Sequence, residues 1–116
     1  MELSELTRRA VAVRARFAAA ELARGGPAWS RAELAQGFVG DVGALMKLVM
    51  AKEGRREGPA NLDAKLEHEL ADCLWSVLVL AEAYGVDLER AFVATMDELA
   101  AKLPAPAHGT TGGSVT

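Results

Sequence analysis

Two carboxylates, Glu69 and Asp72, stand one helical turn apart in an otherwise apolar stretch of the chain, residues 67–75. Like charges at this spacing destabilise a helix by about 0.2–0.5 kcal/mol in water, and partial burial raises that cost. A divalent cation would offset the repulsion, because Mg²⁺ takes oxygen ligands and is commonly held by a few carboxylates together with substrate phosphates. The pair therefore predicts a metal site.

A third carboxylate, Asp41, also borders an apolar helical stripe. That stripe consists of Leu34, Phe38, Val42, Leu45 and Val49. If the two helices pack antiparallel, Asp41 converges with Glu69 and Asp72 in one groove. Each carboxylate alone could instead cap a helix or pair with a cation such as Lys65, one turn before Glu69. The convergence of all three favours a metal site.

Four helices must position these side chains. Apolar periodicity and the Gly and Pro breakers predict helices over about residues 3–23, 31–53, 62–84 and 88–103, and no strand. Ser30 and Glu33 match a capping box, while Asn61 and Asp87 can cap the third and fourth helices. We predict an all-α four-helix bundle over residues 1–103, followed by a disordered tail over residues 104–116.

The third helix is apolar on nearly every side between Cys73 and Ala81, as expected of a helix that is buried all round. Its main apolar stripe consists of Leu66, Leu70, Val77 and Tyr84. Trp75 and Leu78 point away from that stripe, and we predict that a second subunit covers them, with the first helix as the alternative cover. The bundle is thus expected to complete its core by oligomerisation, as a dimer or a tetramer.

Composition narrows the class of protein further. A chain of 116 residues forms one domain with a modest core, and its net charge of −3 argues against non-specific nucleic-acid binding. The single Cys73 cannot form an internal disulfide, which fits a reducing compartment. The N-terminus is acidic, unlike a signal peptide, and no uninterrupted apolar run approaches the roughly 20 residues that span a bilayer. We expect a cytoplasmic protein with no nucleic-acid or membrane partner.

Residues 29–104 resemble the MazG-like all-α nucleoside triphosphate pyrophosphohydrolases, a superfamily that includes dimeric dUTPase-type and dCTPase-type enzymes. Residues 69–78, Glu-Leu-Ala-Asp-Cys-Leu-Trp-Ser-Val-Leu, are similar to the family's Glu-x-x-Asp motif and the apolar run that follows it. Residues 85–91 resemble the family's connection into the last helix. The resemblance implies hydrolysis of a nucleotide between its α- and β-phosphates, with Mg²⁺ or Mn²⁺ as cofactor, and a role in cleaning the nucleotide pool.

The chain departs from the family in its other acidic motif, Glu-Glu-x-x-Glu, which aligns with residues 40–44, Gly-Asp-Val-Gly-Ala. Asp41 keeps the second acidic position, whereas Gly40 and Ala44 supply no carboxylate. Thr95 and Leu99 stand where the last helix of the family usually carries Lys and Asn. These losses leave a second interpretation open, a catalytically silent helical oligomer that binds a nucleotide or a protein partner.

The resemblance implies that the three carboxylates hold Mg²⁺, and three suffice for one ion that keeps several waters. Glu69 or Asp72 would orient or deprotonate the attacking water. Lys52 and Arg55, at the end of the second helix and in its loop, could donate charge-assisted hydrogen bonds to phosphates, although a solvated loop is the alternative. Trp29 could stack on a base or simply pack against the bundle.

Overall fold

The computed structural model describes residues 1–106, and within them the chain is all-α with no strand. The helices are α1 (Leu3–Ala23), α2 (Arg31–Lys52), α3 (Leu62–Ala83) and α4 (Leu88–Ala101). The predicted fold class and all four helices are confirmed. Residues 104–106 carry no regular structure, and the rest of the predicted disordered tail lies outside the described residues.

Side chains near the helix N-termini satisfy backbone groups that the helices leave unpaired. The Ser30 hydroxyl accepts a hydrogen bond from the Glu33 backbone N–H at 3.1 Å, and the Ser30 N–H donates to Glu33 Oε1 at 3.0 Å, so the predicted capping box of α2 is present. Asp87 Oδ1 accepts from the backbone N–H of Arg90 at 3.2 Å, which caps α4. Asn61 makes no side-chain cap of α3, so that prediction was wrong.

The helices α1 and α2 both pack on α3. The most buried apolar side chains come from all three helices and are Ala10, Leu34, Leu78 and Val79. On α1, the Ala10 carbonyl accepts a hydrogen bond from Trp75 Nε1 at 3.1 Å, and the Phe17 ring meets the Trp75 ring edge-on with centroids 6.0 Å apart. The prediction that a second subunit covers Trp75 and Leu78 was therefore wrong, because α1 covers them.

The opposite side of the α2–α3 pair is open. We call it the open apolar face, and it consists of Val39, Val42, Met46 and Val49 on α2 with Leu70 and Leu74 on α3. The α2 members recur at i, i+3, i+7 and i+10, which places them on one stripe. Leu70 and Tyr84 from the predicted main stripe of α3 are 53% and 61% exposed. A helical pair has two sides, and α1 covers only one of them.

Within residues 1–106, the last helix, α4, packs against the other helices only at its beginning. Leu88 packs against the core and Ala91 is partly buried, but every residue of α4 after Ala91 is exposed. The exposed side chains include five large apolar groups, Phe92, Val93, Met96, Leu99 and, just past the helix, Leu103. The fourth helix therefore adds little to the core of this single chain.

By length and composition alone, α2 is the one helix among residues 1–106 that could cross a membrane. This is weak evidence, because helices of soluble proteins pass the same test. The helix carries Asp41 and Lys47 in its interior, and it packs along α3. Its Ala residues raise its apolar content, while its Gly residues and the charged Asp41 and Lys47 interrupt the apolar run.

Candidate metal centre

The loop between α2 and α3 fixes how these two helices meet. Gly54 has a φ of 74°, a left-handed conformation that ends α2. Gly58 then lies against α2, where a Cβ atom would come within 2.7 Å of the Ala51 Cβ. Lys52 Nζ contacts Asp63 Oδ1 at 2.6 Å across the two helix ends. The loop thus sets the register in which side chains of α2 and α3 face each other.

This register brings Asp41, Glu69 and Asp72 together. Each contributes a carboxylate oxygen, and the three oxygens all lie within 4.8 Å of one another. All three residues are partly buried. The convergence predicted from helical spacing is confirmed, while the roles of the three residues stay predictions.

The environment of the three carboxylates fits a hard cation. Glu69 Oε2 is buried and has no hydrogen-bond partner among residues 1–106, and such an atom costs about 1–3 kcal/mol, more when it is charged. Asp72 Oδ2 contacts His68 Nε2 at 3.0 Å on the exposed side of the cluster. Oxygen-only ligands suit Mg²⁺ or Mn²⁺ better than they suit softer ions. The donor set therefore matches the cofactor that the sequence suggests.

The pKa of the neighbouring Cys73 thiol reflects the negative charge of the carboxylate cluster. Desolvation by partial burial raises the pKa of Cys73, and the negative charges of Asp41, Glu69 and Asp72 raise it further. The thiol is therefore neutral at physiological pH, which agrees with a packing role for Cys73. The same field that disfavours a thiolate would attract a cation.

An apolar cavity of about 710 Å³ opens beside the cluster. Aromatic rings of Phe17, Trp29 and Trp75 line it, and so do Asp41 and Asp72. Cavities of this volume with apolar walls and a few polar groups are typical of small-molecule sites. We call it the aromatic cavity. It places a flat apolar surface next to the candidate metal ligands.

The three predicted substrate-binding residues lie in different parts of the structure. Trp29 lies in the wall of the aromatic cavity and packs on Gly37, whose Cβ position is 3.2 Å from the indole ring. Lys52 lies eleven residues after Asp41, about 16 Å along α2, and contacts Asp63 instead. Arg55 is exposed in the loop. Trp29 thus lines the same cavity as Asp41 and Asp72, while its base-stacking role and the phosphate-binding roles of Lys52 and Arg55 stay predictions.

A second cavity, of about 750 Å³, lies between α2, α3 and their loop, and we call it the basic groove. Three cations line it, Lys47, Arg56 and Lys65, and Glu69 reaches it from the carboxylate cluster. The two positions that lack the family's acidic residues, Gly40 and Ala44, also line it. This groove was not predicted from the sequence. Its signal was the spacing of Lys47 one turn after Ala44 and of Lys65 one turn before Glu69.

Comparison with known proteins agrees with this arrangement. The model of the MazG nucleotide pyrophosphohydrolase domain matches residues 32–105, which is well over half of the chain and includes all three carboxylates. No curated protein and no solved structure gives a significant match. The chain therefore belongs to the family of MazG nucleotide pyrophosphohydrolase domains.

Proposed function

We propose that this chain is a metal-dependent pyrophosphohydrolase that converts a nucleoside triphosphate to the monophosphate and pyrophosphate, and that it serves to clean the nucleotide pool. The observation that carries the proposal is the convergence of Asp41, Glu69 and Asp72 within a MazG domain. Three carboxylate oxygens within 4.8 Å of one another form an arrangement that is costly without a cation.

In this proposal Asp41, Glu69 and Asp72 hold Mg²⁺ or Mn²⁺. The bound ion would neutralise phosphate oxygens and so favour departure of pyrophosphate. Glu69 and Asp72 also orient the attacking water or accept its proton. Glu69 Oε2 suits this task because it is buried and has no partner within residues 1–106. His68 contacts Asp72 and fixes the position of that carboxylate.

The aromatic cavity suits the nucleobase. Trp29 would stack on the base, and such stacking contributes about 1–3 kcal/mol in nucleic-acid-binding proteins. Trp75 is held in place by its hydrogen bond to the Ala10 carbonyl and by Phe17. We expect Trp29→Ala to raise KM by about tenfold or more and to change kcat little. A fall in kcat at unchanged KM would argue against a base-binding role.

The activity is tested with a panel of canonical and modified nucleoside triphosphates in the presence of Mg²⁺ or Mn²⁺, with release of pyrophosphate and of phosphate measured separately. We expect pyrophosphate and monophosphate in equal amounts. Glu69→Gln should lower kcat by about 10²–10⁴-fold, the usual contribution of a positioned base. Glu67→Gln is the matched control, since Glu67 is an exposed residue of the same helix outside the cluster. A folded sample that releases no pyrophosphate from any nucleotide would rule out the activity.

A catalytically silent MazG relative that binds a nucleotide or a protein partner is the second candidate. Gly40 and Ala44 supply no ligand, and Thr95 and Leu99 replace the Lys and Asn of the family's last helix, where both are exposed. This candidate predicts that a nucleotide with Mg²⁺ raises the melting temperature without being hydrolysed. The same nucleotide panel therefore separates the two functions.

We also propose that a second copy of the chain covers the open apolar face, giving a dimer or a tetramer. Six exposed apolar side chains on α2 and α3 support this proposal, and so do the exposed apolar residues of α4. A stable interface buries about 1,200–2,000 Å² in total and centres on apolar residues. Light scattering after size-exclusion chromatography should give a multiple of 12.2 kDa.

A charged substitution on that face tests the oligomer directly. Met46→Asp should shift the protein toward the monomer, because it buries an unpaired charge in the interface. Ala12→Asp on the exposed surface of α1 is the control. A wild-type protein that is monomeric at high concentration would contradict the proposal.

We further propose a cytoplasmic location, in keeping with the generally soluble members of the family.

A further inference from the structure

We propose that the basic groove binds the phosphoanhydride tail of the substrate, and that Lys47 and Lys65 supply there the positive charge that Gly40 and Ala44 can no longer recruit through metal ligands. The inference rests on the proposed hydrolase function and extends it to residues that the family's acidic motifs do not contain. Its chemistry is the recognition of two linked phosphate groups by ammonium and guanidinium donors.

The two cavities adjoin at the carboxylate cluster. On α3, Lys65, His68, Asp72 and Trp75 recur at i, i+3, i+7 and i+10, so they form one stripe along the helix. The first two line the basic groove and the last two line the aromatic cavity. A nucleotide whose base occupies the aromatic cavity would therefore pass its α-phosphate by the carboxylates and extend its outer phosphates into the groove.

The spacing along the helices fits this path. Lys65 precedes Glu69 by four residues, about 6 Å along α3. Lys47 follows Asp41 by six residues, about 9 Å along α2. The antiparallel contact of Lys52 with Asp63 puts both lysines between that helix end and the cluster. Both ammonium groups are thus near the place where the outer phosphates would lie.

The charges of the groove are available for a ligand. Lys47, Arg56 and Lys65 form no ion pair within 4.0 Å in the part of the chain that the structure describes, whereas Lys52 and Lys102 each contact a carboxylate. Lys65 stands one turn before Glu69, yet the two make no such pair there. Three cations face two carboxylates in the groove lining, and one of those carboxylates is the candidate metal ligand Glu69.

The small residues in the groove complement these cations. A Cβ atom at Gly40 would meet no other described residue within 4 Å, so the space beside it is open among residues 1–106. A carboxylate at position 44 would lie one turn from Lys47 and would pair with it. The absence of acidic side chains at 40 and 44 therefore leaves both room and unneutralised positive charge. On the loop side, the close approach of Gly58 to Ala51 brings the neighbouring Arg56 to the groove.

The first test is calorimetric titration of the full chain with inorganic pyrophosphate in the presence of Mg²⁺. Lys47→Gln and Lys65→Gln should each weaken pyrophosphate binding about fivefold, the upper range for exposed charge pairs, and the double variant should bind more weakly than either single variant. Lys102→Gln, just past the end of α4, is the matched control and should bind as wild type does. All three lysines are exposed, so the variants should fold, and thermal melting checks this.

Three results would overturn the inference. One is a wild-type protein that does not bind pyrophosphate. Another is unchanged binding in the double lysine variant. The third is an equal loss in Lys52→Gln, which would move the anion to the helix end beyond the groove. Titration with a nucleoside monophosphate adds a further check, because its affinity should not depend on Lys47 or Lys65 if these residues contact only the outer phosphates.

Substitutions at Ala44 distinguish two ways of binding phosphate in the groove. Either the lysines bind the phosphate directly, or the groove needs a further metal ligand at position 44. Ala44→Glu should weaken pyrophosphate binding about fivefold or more, because the new carboxylate pairs with Lys47 and repels phosphate. Ala44→Gln has the same size without the charge and should have a smaller effect. Stronger Mg²⁺-dependent pyrophosphate binding in Ala44→Glu than in Ala44→Gln would contradict the inference, since it would mean that the groove needs another metal ligand.

These experiments keep the inference separate from the proposed function. Nucleotide hydrolysis with unchanged pyrophosphate binding and unchanged KM in the double lysine variant would refute the groove and leave the hydrolase. If the lysine variants lose pyrophosphate binding and the wild-type protein hydrolyses no nucleotide, the hydrolase activity is refuted, while the groove remains supported as a pyrophosphate-binding site. Pyrophosphate distinguishes the two because its binding needs no turnover.

Discussion

Glu69→Gln should stabilise the protein in the absence of a divalent cation and destabilise it in the presence of one. Without a cation, Glu69 carries a negative charge within 4.8 Å of two other carboxylates, and its Oε2 atom is buried with no partner in the described part of the chain. The substitution removes that charge and keeps the shape of the side chain. With the cation bound, the same substitution removes a ligand. We therefore expect the variant to be more stable than wild type in a chelator and less stable than wild type in saturating Mg²⁺.

The size of each effect follows from the geometry. Two charges 4.8 Å apart repel by about 0.9 kcal/mol in water and about 3.5 kcal/mol at an effective dielectric constant of 20. Because the cluster is only partly buried, we use the aqueous value, in which solvent already screens the charges, and the two neighbours of Glu69 together contribute about 1.7 kcal/mol. In Mg²⁺ at 100 times its dissociation constant, wild type should gain about 2.7 kcal/mol.

Thermal melting in a chelator and in a Mg²⁺ series measures both effects. For a domain of this length, each kcal/mol moves the melting temperature by about 3–5 °C. We expect Glu69→Gln to melt about 5–8 °C above wild type in the chelator, and wild type to rise about 8–14 °C in Mg²⁺. Glu67→Gln should change neither value by more than a degree or two. A variant destabilised in the chelator, or a wild type that ignores Mg²⁺, would refute the reasoning.

Three further substitutions test how the site is held in place. Gly58→Ala should cost about 1–3 kcal/mol, since its Cβ would overlap that of Ala51; a denaturant midpoint equal to wild type would show that the loop can move away freely. Ser30→Ala should cost about 1 kcal/mol through loss of the capping box, measured by chemical unfolding, and Ser30→Asp should restore most of it. Trp75→Phe should cost about 1 kcal/mol by removing the hydrogen bond from Trp75 Nε1 to the Ala10 carbonyl, and hydrogen exchange in α1 should rise accordingly; unchanged exchange would mean that α1 does not depend on this bond.

The carboxylate cluster could be predicted from the sequence because helical periodicity determines it. Glu69 and Asp72 lie one turn apart, and Asp41 borders the corresponding stripe on α2. Once two such helices pack antiparallel, their flanking residues lie along the same groove, and the loop then sets the register in which they meet. The capping box at Ser30 was predictable for a similar reason, because its residues are close in sequence and need no tertiary contact.

The side of α3 that α1 covers could not be predicted in this way. The third helix is apolar on nearly every side, so its sequence does not say which face a given neighbour takes. The outcome depends on long-range contacts, such as that between Trp75 Nε1 and the Ala10 carbonyl, 65 residues apart. The basic groove was missed for the same reason. Arg56 lines it from the loop between α2 and α3, and the path of that loop depends on tertiary contacts such as the one between Gly58 and Ala51.

The position of α1 gives the α2–α3 pair two chemically different sides. On one side, α1 closes the aromatic cavity and leaves the basic groove open beyond it; on the other lies the open apolar face. The aromatic residues Phe17 and Trp29 both precede residue 32, where the match to the family domain begins. The carboxylates that would act on phosphate therefore belong to the shared domain, while much of the wall that would contact the base does not. The choice of base in the proposed reaction should thus depend on α1 and the segment that follows it, and exchange of Phe17 or Trp29 should alter which nucleotide is preferred without moving the carboxylates.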